Sequence, residues 1–448
     1  MEKWLNEITP IMEVEHDCIL SKQGDISIVF NVALPEIFTQ SDENYEALHQ
    51  SLIKAIKVLP KDSIFHKQDY FVQSKFNAGA AKENRSFLSG SSDHFFEGRP
   101  FLQHDCYIIL TKKPSGRKPS SSVFSSLVRP TIAPEQTISK VALQEFEDSA
   151  GQFARILADS GIRLDRLRTD EIVSHPNKIG LIERYCTLSE NPGHRLVKDM
   201  QLKDRFMIGD NHCQLYTLAD VTDLPSLCGS RINYDKYSTD RTKFSIGFAS
   251  TLGLLLPCNH VYNQYIFIGD ASQTMKKLES KRLRLQSLAA YSRENAIARD
   301  AVGDFLNECV REQRLPVKAH FNVLVWTDNP DELKDLKNMV TSGLAQMEAT
   351  AKQETAGAAQ IYWAGIPGNA ADFPLNDCFD TFAEQACCFL NLETGYQDSN
   401  SAMGIRMGDR LTGKPVHTDI SDEPVKKGIC TNRNKFVLGP SPCRAIQH

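Results

Sequence analysis

The sequence predicts an α+β protein made of two mixed α/β units, residues 1–200 and 201–430, with a short closing segment at 431–448. Three observations lead there. Short apolar runs bounded by Gly, Pro, Asn and Asp recur along the chain, as strands do. Longer stretches repeat their apolar residues with the 3.6 period of amphipathic helices. A polar stretch, 187–210, holding Asn191-Pro192-Gly193, separates the two sets of elements.

Taken in order, the runs within Val14 to Leu34 flank Gln23-Gly24-Asp25 and read as a hairpin. Ser41 caps a helix whose apolar positions Tyr45, Leu48, Leu52, Ala55, Ile56 and Leu59 keep the helical period until Pro60 stops it. Ile64 to Val72 and Cys106 to Leu110 read as strands, so this unit runs hairpin, helix, strand, strand. The basic stretch from Lys112 to Ser122 suits acidic lipid or nucleic acid, but a solvated hairpin tip accounts for it more simply. A helix follows from about Lys140 to Ala158 and ends at Gly161; Ile162 to Leu167 returns as a strand, and Thr169-Asp170-Glu171 opens another helix.

In the second unit, strands are expected at Gln214 to Thr217, Phe244 to Phe248 and Tyr265 to Gly269. One long helix is expected from Ser272 toward Arg314, then a strand from Val317 to Trp326 and a helix opened by Pro330. Ile361-Tyr362-Trp363-Ala364 reads as a further strand, and Phe382 to Leu392 as a short buried helix.

Composition bounds the chemistry. With 448 residues, 41% hydrophobic and 24% charged, the chain has ample material for a soluble core. A net charge of −5 argues against general nucleic-acid binding, which rests on clustered Lys and Arg neutralising phosphates, so no direct contact with nucleic acid is expected. No apolar run approaches the roughly 18 residues of a membrane span, and Met1 to Leu5 is not followed by a signal-peptide core, so a cytosolic location is expected, at a membrane only through partners. Twelve cysteines occur without a C-x-x-C, which fits reduced, buried thiols.

Candidate sites are few. His16-Asp17-Cys18 and His104-Asp105-Cys106 repeat one tripeptide whose two His and two Cys could make a zinc site, but zinc ligands usually lie closer in sequence and strand-entry polar residues are the simpler reading; no metal site is expected. Lys276, Lys277, Lys281, Arg282 and Arg284 read as an exposed helical face, and Asp372, Asp377 and Asp380 as capping residues. No motif nominates a catalytic residue. The informative stretch is Asn434 to Ser441, where the apolar run Phe436 to Leu438 reads as a strand and Gly439-Pro440-Ser441 as the turn leaving it. A phosphate-binding P-loop begins this way: G-x-x-x-x-G-K-[ST] places backbone N–H groups and a lysine on the phosphates and a hydroxyl on Mg²⁺. Counted from Gly439, the second glycine, lysine and hydroxyl positions hold Arg444, Ala445 and Ile446. Gly439, Pro440 and Ser441 are thus the candidate remnant of a nucleotide site.

Several longer motifs carry a resemblance. Trp363 to Pro374, Gly408 to Pro415, Asp419 to Pro424 and Thr431 to Lys435, with Lys22 to Asp25 and Leu59-Pro60 to Asp69 earlier on, are similar to TraG-type conjugative-transposon ATPases, the large ATPases of type IV secretion. The resemblance spans residues 1 to 441 and departs at Pro442. It implies a non-catalytic assembly module ahead of a RecA-like P-loop motor that uses ATP and Mg²⁺. It also implies membrane components of the secretion apparatus as partners, and a homo-oligomer, hexameric in the full-length family. On this reading the chain is the front part of such an ATPase, cut inside its Walker A motif by a frameshift or early stop, and it hydrolyses no ATP. A self-sufficient, non-enzymatic adaptor of the conjugation apparatus is the alternative.

Overall fold

The structure, a computed structural model, describes residues 9–78, 87–114, 117, 140–190, 200–202, 205–401 and 403–436. It is mixed α and β, as the sequence predicts. The strands are β1 (Ile11–Glu15), β2 (Cys18–Ser21), β3 (Ile26–Ala33), β4 (Ser63–Lys75), β5 (Pro100–Lys112), β6 (Arg163–Arg166), β7 (Met200–Gln201), β8 (Met207–Ile208), β9 (Asn211–Leu218), β10 (Arg231–Asn233), β11 (Ser245–Gly247), β12 (His260–Ile268), β13 (Pro316–Thr327), β14 (Lys352–Glu354), β15 (Phe379–Phe382), β16 (Ile405–Gly408) and β17 (Pro415–Thr418). The helices are α1 (Asp42–Val58), α2 (Phe87–Phe95), α3 (Lys140–Asp159), α4 (Thr169–Ile172), α5 (Leu181–Thr187), α6 (Ala271–Leu288), α7 (Arg293–Arg311), α8 (Leu333–Gln346), α9 (Ala358–Ala364), α10 (Ala383–Cys388) and α11 (Asp422–Lys426).

The chain divides into two compact units, Met1–Val72 with Leu102–Gly395, and Gln73–Phe101 with Tyr396–His448. In the first, strands from before and after residue 200 share one sheet ordered β1-β2-β3-β5-β4-β12-β13-β9-β8-β7. β4 pairs antiparallel with β12 (Tyr262 opposite Asp69), and β12 with β13 (Tyr262 opposite Val323). All nine residues of β12 are buried, because helices cover both faces. One face packs Phe65, Tyr262, Ile266 and Phe321 against α1, α3, α8 and α10. The other packs Tyr70, Val261, Tyr265 and Leu324 against α5, α9 and the segment through Phe373. Alternate residues of each strand feed opposite cores, as the strand period of two requires.

α1 forms as its sequence predicts: Ser41 Oγ accepts from Asn44 N at 3.3 Å, and the apolar stripe faces the sheet. Three expectations are corrected. The single helix from Ser272 toward Arg314 is a hairpin of α6 and α7, broken at 289–292, with Ser292 at the start of the second helix. Folding back lets the two weakly apolar stripes cover one another; only Leu285 and Cys309 are buried. Ile361 to Ala364, expected as a strand, belongs to α9, whose residues from Ile361 to Ala364 are all buried. A short apolar run does not distinguish a buried strand from a buried helix turn. The helix expected over Phe382 to Leu392 is shorter, with Phe382 ending β15 and the helix spanning only α10.

Candidate nucleotide-binding segment and a buried polar centre

The segment that leads toward Gly439-Pro440-Ser441, the candidate nucleotide-site residues, lies in the second unit. Gln73–Phe101 and Tyr396–His448 meet around Arg406 of β16, whose Nε donates to Asp93 Oδ1 at 2.5 Å and whose Nη1 reaches Pro415 O at 2.9 Å. Its guanidinium also lies 4.7 Å from the Phe76 ring centre. Arg406 points inward, while Ile405 and Met407 on either side are exposed, which is the alternation of a two-stranded ribbon.

The loop of this ribbon carries a spacing that sequence reasoning passed over. Gly408, then four residues, then Gly413-Lys414 reproduces most of a Walker A pattern. The structure makes it a hairpin turn instead. Asp409 accepts from Leu411 N (3.2 Å), Thr412 N (3.0 Å) and Thr412 Oγ1 (2.5 Å), so its own carboxylate occupies the amides a phosphate would need. Gly413 takes the φ of +76° that closes the turn, Lys414 Nζ donates to Tyr396 O at 3.1 Å, and Pro415 stands where a hydroxyl would hold Mg²⁺.

Beyond β17, Asp419 accepts from the backbone amides of Ser421, Asp422 and Glu423 at 2.7, 3.0 and 3.1 Å, which starts α11. Hydrogen bonding, from the Ser421 amide first and then from the Ser401 side chain and the other two amides, holds its carboxyl well below the usual range. Lys435 Nζ then donates to Ser421 Oγ at 2.7 Å, and Arg433 pairs with Asp422 at 2.9 Å. Phe436, expected to open a strand, is exposed and outside any strand. Val437, Leu438, Gly439, Pro440 and Ser441 lie outside the described residues.

In the first unit the structure assembles a polar centre that the sequence does not announce. His66-Lys67-Gln68-Asp69 interrupts the apolar strand β4, and all four residues are buried. On one face Asp69 is contacted by Lys67 Nζ, His104 Nε2 (2.9 Å), Gln264 Nε2 (2.6 Å) and Asn391 Nδ2 (3.1 Å). Burial alone pushes this carboxyl up; Lys67 and His104 outweigh it and hold Asp69 well below the usual carboxylate range. His104 also bonds Thr394 through Nδ1 at 2.7 Å and stacks on Phe71, 4.2 Å between ring centres. Nearby, Glu393 accepts from Tyr45 Oη (2.5 Å), Gly247 N (2.8 Å) and Ser250 Oγ (2.5 Å), and burial raises its carboxyl. On the opposite face Gln68 Nε2 donates to Asn263 Oδ1 and to Gly365 O, both at 2.8 Å. His66 stacks on Tyr265 at 4.1 Å, and burial pushes it down to about 3. Asp69 is satisfied from within the protein, so the centre ties β4, β5 and β12 to the segment 391–394.

The other sequence candidates are placed as follows. His104 serves Asp69, and Asp105 pairs with Arg184 at 2.7 Å in a cleft of about 470 Å³ that Tyr107, Lys178 and Glu190 also line. Asp17 Oδ1 accepts from Thr169 N at 2.7 Å at the start of α4. No group of three or more His, Cys, Asp or Glu among the described residues is arranged to hold a metal ion. Asp372, expected as a cap, is buried and pairs with Arg117 at 2.6 Å; Arg117 also faces Asp25 at 3.3 Å. That arginine of the basic stretch is therefore a buried ion-pair partner, its side chain 5% exposed, where a solvated tip was expected. Asp380 pairs with Lys318 across β13 and β15 at 2.9 Å, while Asp377 supplies a backbone carbonyl to His320 Nδ1 at 2.6 Å. The cluster Lys276, Lys277, Lys281 and Arg284 is exposed on α6, and Arg282 pairs with Glu279.

Comparison with known families matches both ends of the chain. Residues 404–444 match the family described as TraG P-loop domain, and residues 2–50 match one described as Domain of unknown function, B. Theta Gene description (DUF3875). The first match supports a TraG-family protein and suggests a conjugation-related ATPase family. No curated protein matches the chain. No helix among the described residues is long and apolar enough to cross a membrane.

Proposed function

We propose that this chain is an assembly part of a conjugative-transfer ATPase of type IV secretion, serving the apparatus that a P-loop motor energises. The observation that carries this reading is the TraG P-loop match over 404–444, which takes in β16, β17, α11 and the approach to Gly439-Pro440-Ser441. ATP and Mg²⁺ are the motor's ligands in this reading, with membrane components of the apparatus and further copies of the chain as partners. The chain works on the cytoplasmic side and reaches the membrane through those partners. It does not itself turn over ATP. Ala445 and Ile446 stand at the lysine and Ser/Thr positions, so charge on the β/γ-phosphates is not neutralised and Mg²⁺ gains no hydroxyl ligand. The alternative Gly408–Lys414 spacing is closed by Asp409.

The test is Mg²⁺-dependent phosphate release by the purified chain beside a mock purification from cells lacking it. Turnover indistinguishable from the mock is expected. Turnover that follows the chain through two orthogonal columns would remove the non-hydrolysing part of the proposal.

A further inference from the structure

The α6–α7 hairpin carries apolar and basic surface that its place in the fold does not use. From residue 286 to 301, across the end of α6, the turn and the start of α7, no residue is buried, so the rest of the unit does not cover this end of the hairpin. Large apolar side chains nevertheless collect there: Tyr291 is 86% exposed, Ile297 60%, Leu283 53% and Leu288 43%. They do not share one side. Leu283 stands two residues before Leu285, the buried residue of α6, so at about 3.6 residues per turn it faces away from the buried side. Tyr291 lies in the turn and Ile297 on the other helix. The apolar zone runs round the tip.

Behind the tip lies a basic collar. From Ala271 to Arg293 six Lys and Arg residues stand against one carboxylate, a net charge of +5 in a chain of −5 overall. Glu279 is taken by Arg282 at 2.7 Å, which leaves Lys276, Lys277, Lys281, Arg284 and Arg293 exposed and in no ion pair among the described residues. The acids of α7 give little relief, since Asp300 pairs with Arg299 and Glu308 with Arg314; Glu294 and Asp304 remain.

The spacing along α6 suits one occupant. Leu283 to Leu288 spans about 7.5 Å of helix, within the depth of about 5–10 Å to which apolar groups enter a bilayer surface. Lys281 and Lys276 then lie about 10 and 18 Å behind Leu288, at the level of lipid phosphates or within about one screening length of them. A folded protein or a nucleic-acid duplex covers one side of such a tip and leaves apolar surface wet on the other. Immersion covers all of it.

We propose that the α6–α7 tip inserts into the surface of an anionic phospholipid bilayer, with Leu283, Leu288, Tyr291 and Ile297 in the interfacial layer and the α6 lysines on lipid phosphates. No helix among the described residues can span a bilayer, so the contact is a surface one. It gives the chain a grip on lipid beside the one its partners supply. The inference rests on the hairpin alone, so its failure leaves the conjugative-transfer reading standing.

The experiment is flotation of the full chain with vesicles of phosphatidylcholine alone or mixed with phosphatidylglycerol. Binding to the anionic vesicles only is expected, and it falls as salt rises from about 0.1 M to about 1 M, which shortens the screening length from about 10 Å to about 3 Å. Each basic residue near such a surface is worth about fivefold in partitioning, so Lys276→Gln, Lys277→Gln and Lys281→Gln together lower it about a hundredfold. Leu288→Ser with Tyr291→Ser lowers it at least about tenfold. Tyr291→Trp binds as the parent does, and its added emission shifts to the blue and is quenched by brominated lipid. All the substituted residues are exposed, and an unchanged urea midpoint shows that each variant folds. A folded chain that ignores anionic vesicles leaves the tip to a protein partner and overturns the proposal. Equal binding to neutral vesicles, or binding indifferent to Leu288 and Tyr291, overturns it as well. So does tighter binding to duplex DNA than to anionic vesicles, which assigns the basic collar to nucleic acid.

Discussion

Replacing Asp69 by Asn tests the buried polar centre most sharply. Asn keeps one acceptor oxygen and turns the other position into a donor, so about half of the four contacts from Lys67, His104, Gln264 and Asn391 are lost. Hydrogen bonds to a charged group are worth about 1.5–3 kcal/mol each. Lys67, with a side chain only 3% exposed, would also keep its charge without a counter-ion. Removing one member of a buried ion pair costs about 3–5 kcal/mol, and we expect a loss in that range, a large share of the 5–15 kcal/mol typical of a folded protein. Urea unfolding followed by tryptophan fluorescence measures it, since Trp326 and Trp363 are both buried in this unit. Lys67→Met added to Asp69→Asn should recover much of the loss by removing the stranded charge. The carboxyl is depressed in the folded state, so its contribution is complete above about pH 4 and drains away as pH falls toward the folded value; the Asn variant lacks that acid-side loss. A loss below about 1 kcal/mol, or a double variant no better than the single, would refute the reasoning.

Other outcomes follow from single contacts. Ser41→Ala removes the cap of α1 and should cost about 0.5–2 kcal/mol in the same urea assay. Gly368→Ala should cost about 2 kcal/mol or more, because φ is +89° and an added Cβ would meet Ile19 Cγ2 at 2.6 Å; the corresponding fall in thermal midpoint checks it. Arg406→Met removes the buried guanidinium that Asp93 pairs with, worth about 3–5 kcal/mol, and limited proteolysis within 396–436 should be faster than in the parent chain.

Legibility in the sequence followed the kind of force at work. α1 could be read outright because Ser41, the 3.6-period stripe and Pro60 act locally and agree. The α6–α7 break was not legible: 289–292 is Ala-Ala-Tyr-Ser, with no Gly or Pro, and the turn follows from packing two helices together. Asp69 was hidden for a related reason. His66-Lys67-Gln68-Asp69 reads as polar and exposable, and only partners from β5, β12 and 391–394 make its burial tolerable. The repeated His-Asp-Cys tripeptide did draw attention to His104, but its partner, the Asp69 carboxylate within the sheet, comes from another strand and could not be read from the tripeptide. Asp409 shows the converse, a motif spacing that three-dimensional structure cancels.

The most direct test of the assembly proposal is conjugative transfer in a donor cell that expresses this chain at graded levels beside an active TraG-type ATPase. A subunit that occupies the same partner surface without turning over ATP competes by mass action, and in a ring one inactive member stalls its neighbours. The account predicts that transfer frequency falls in step with the level of the chain. Unchanged transfer with the chain soluble and abundant would contradict it.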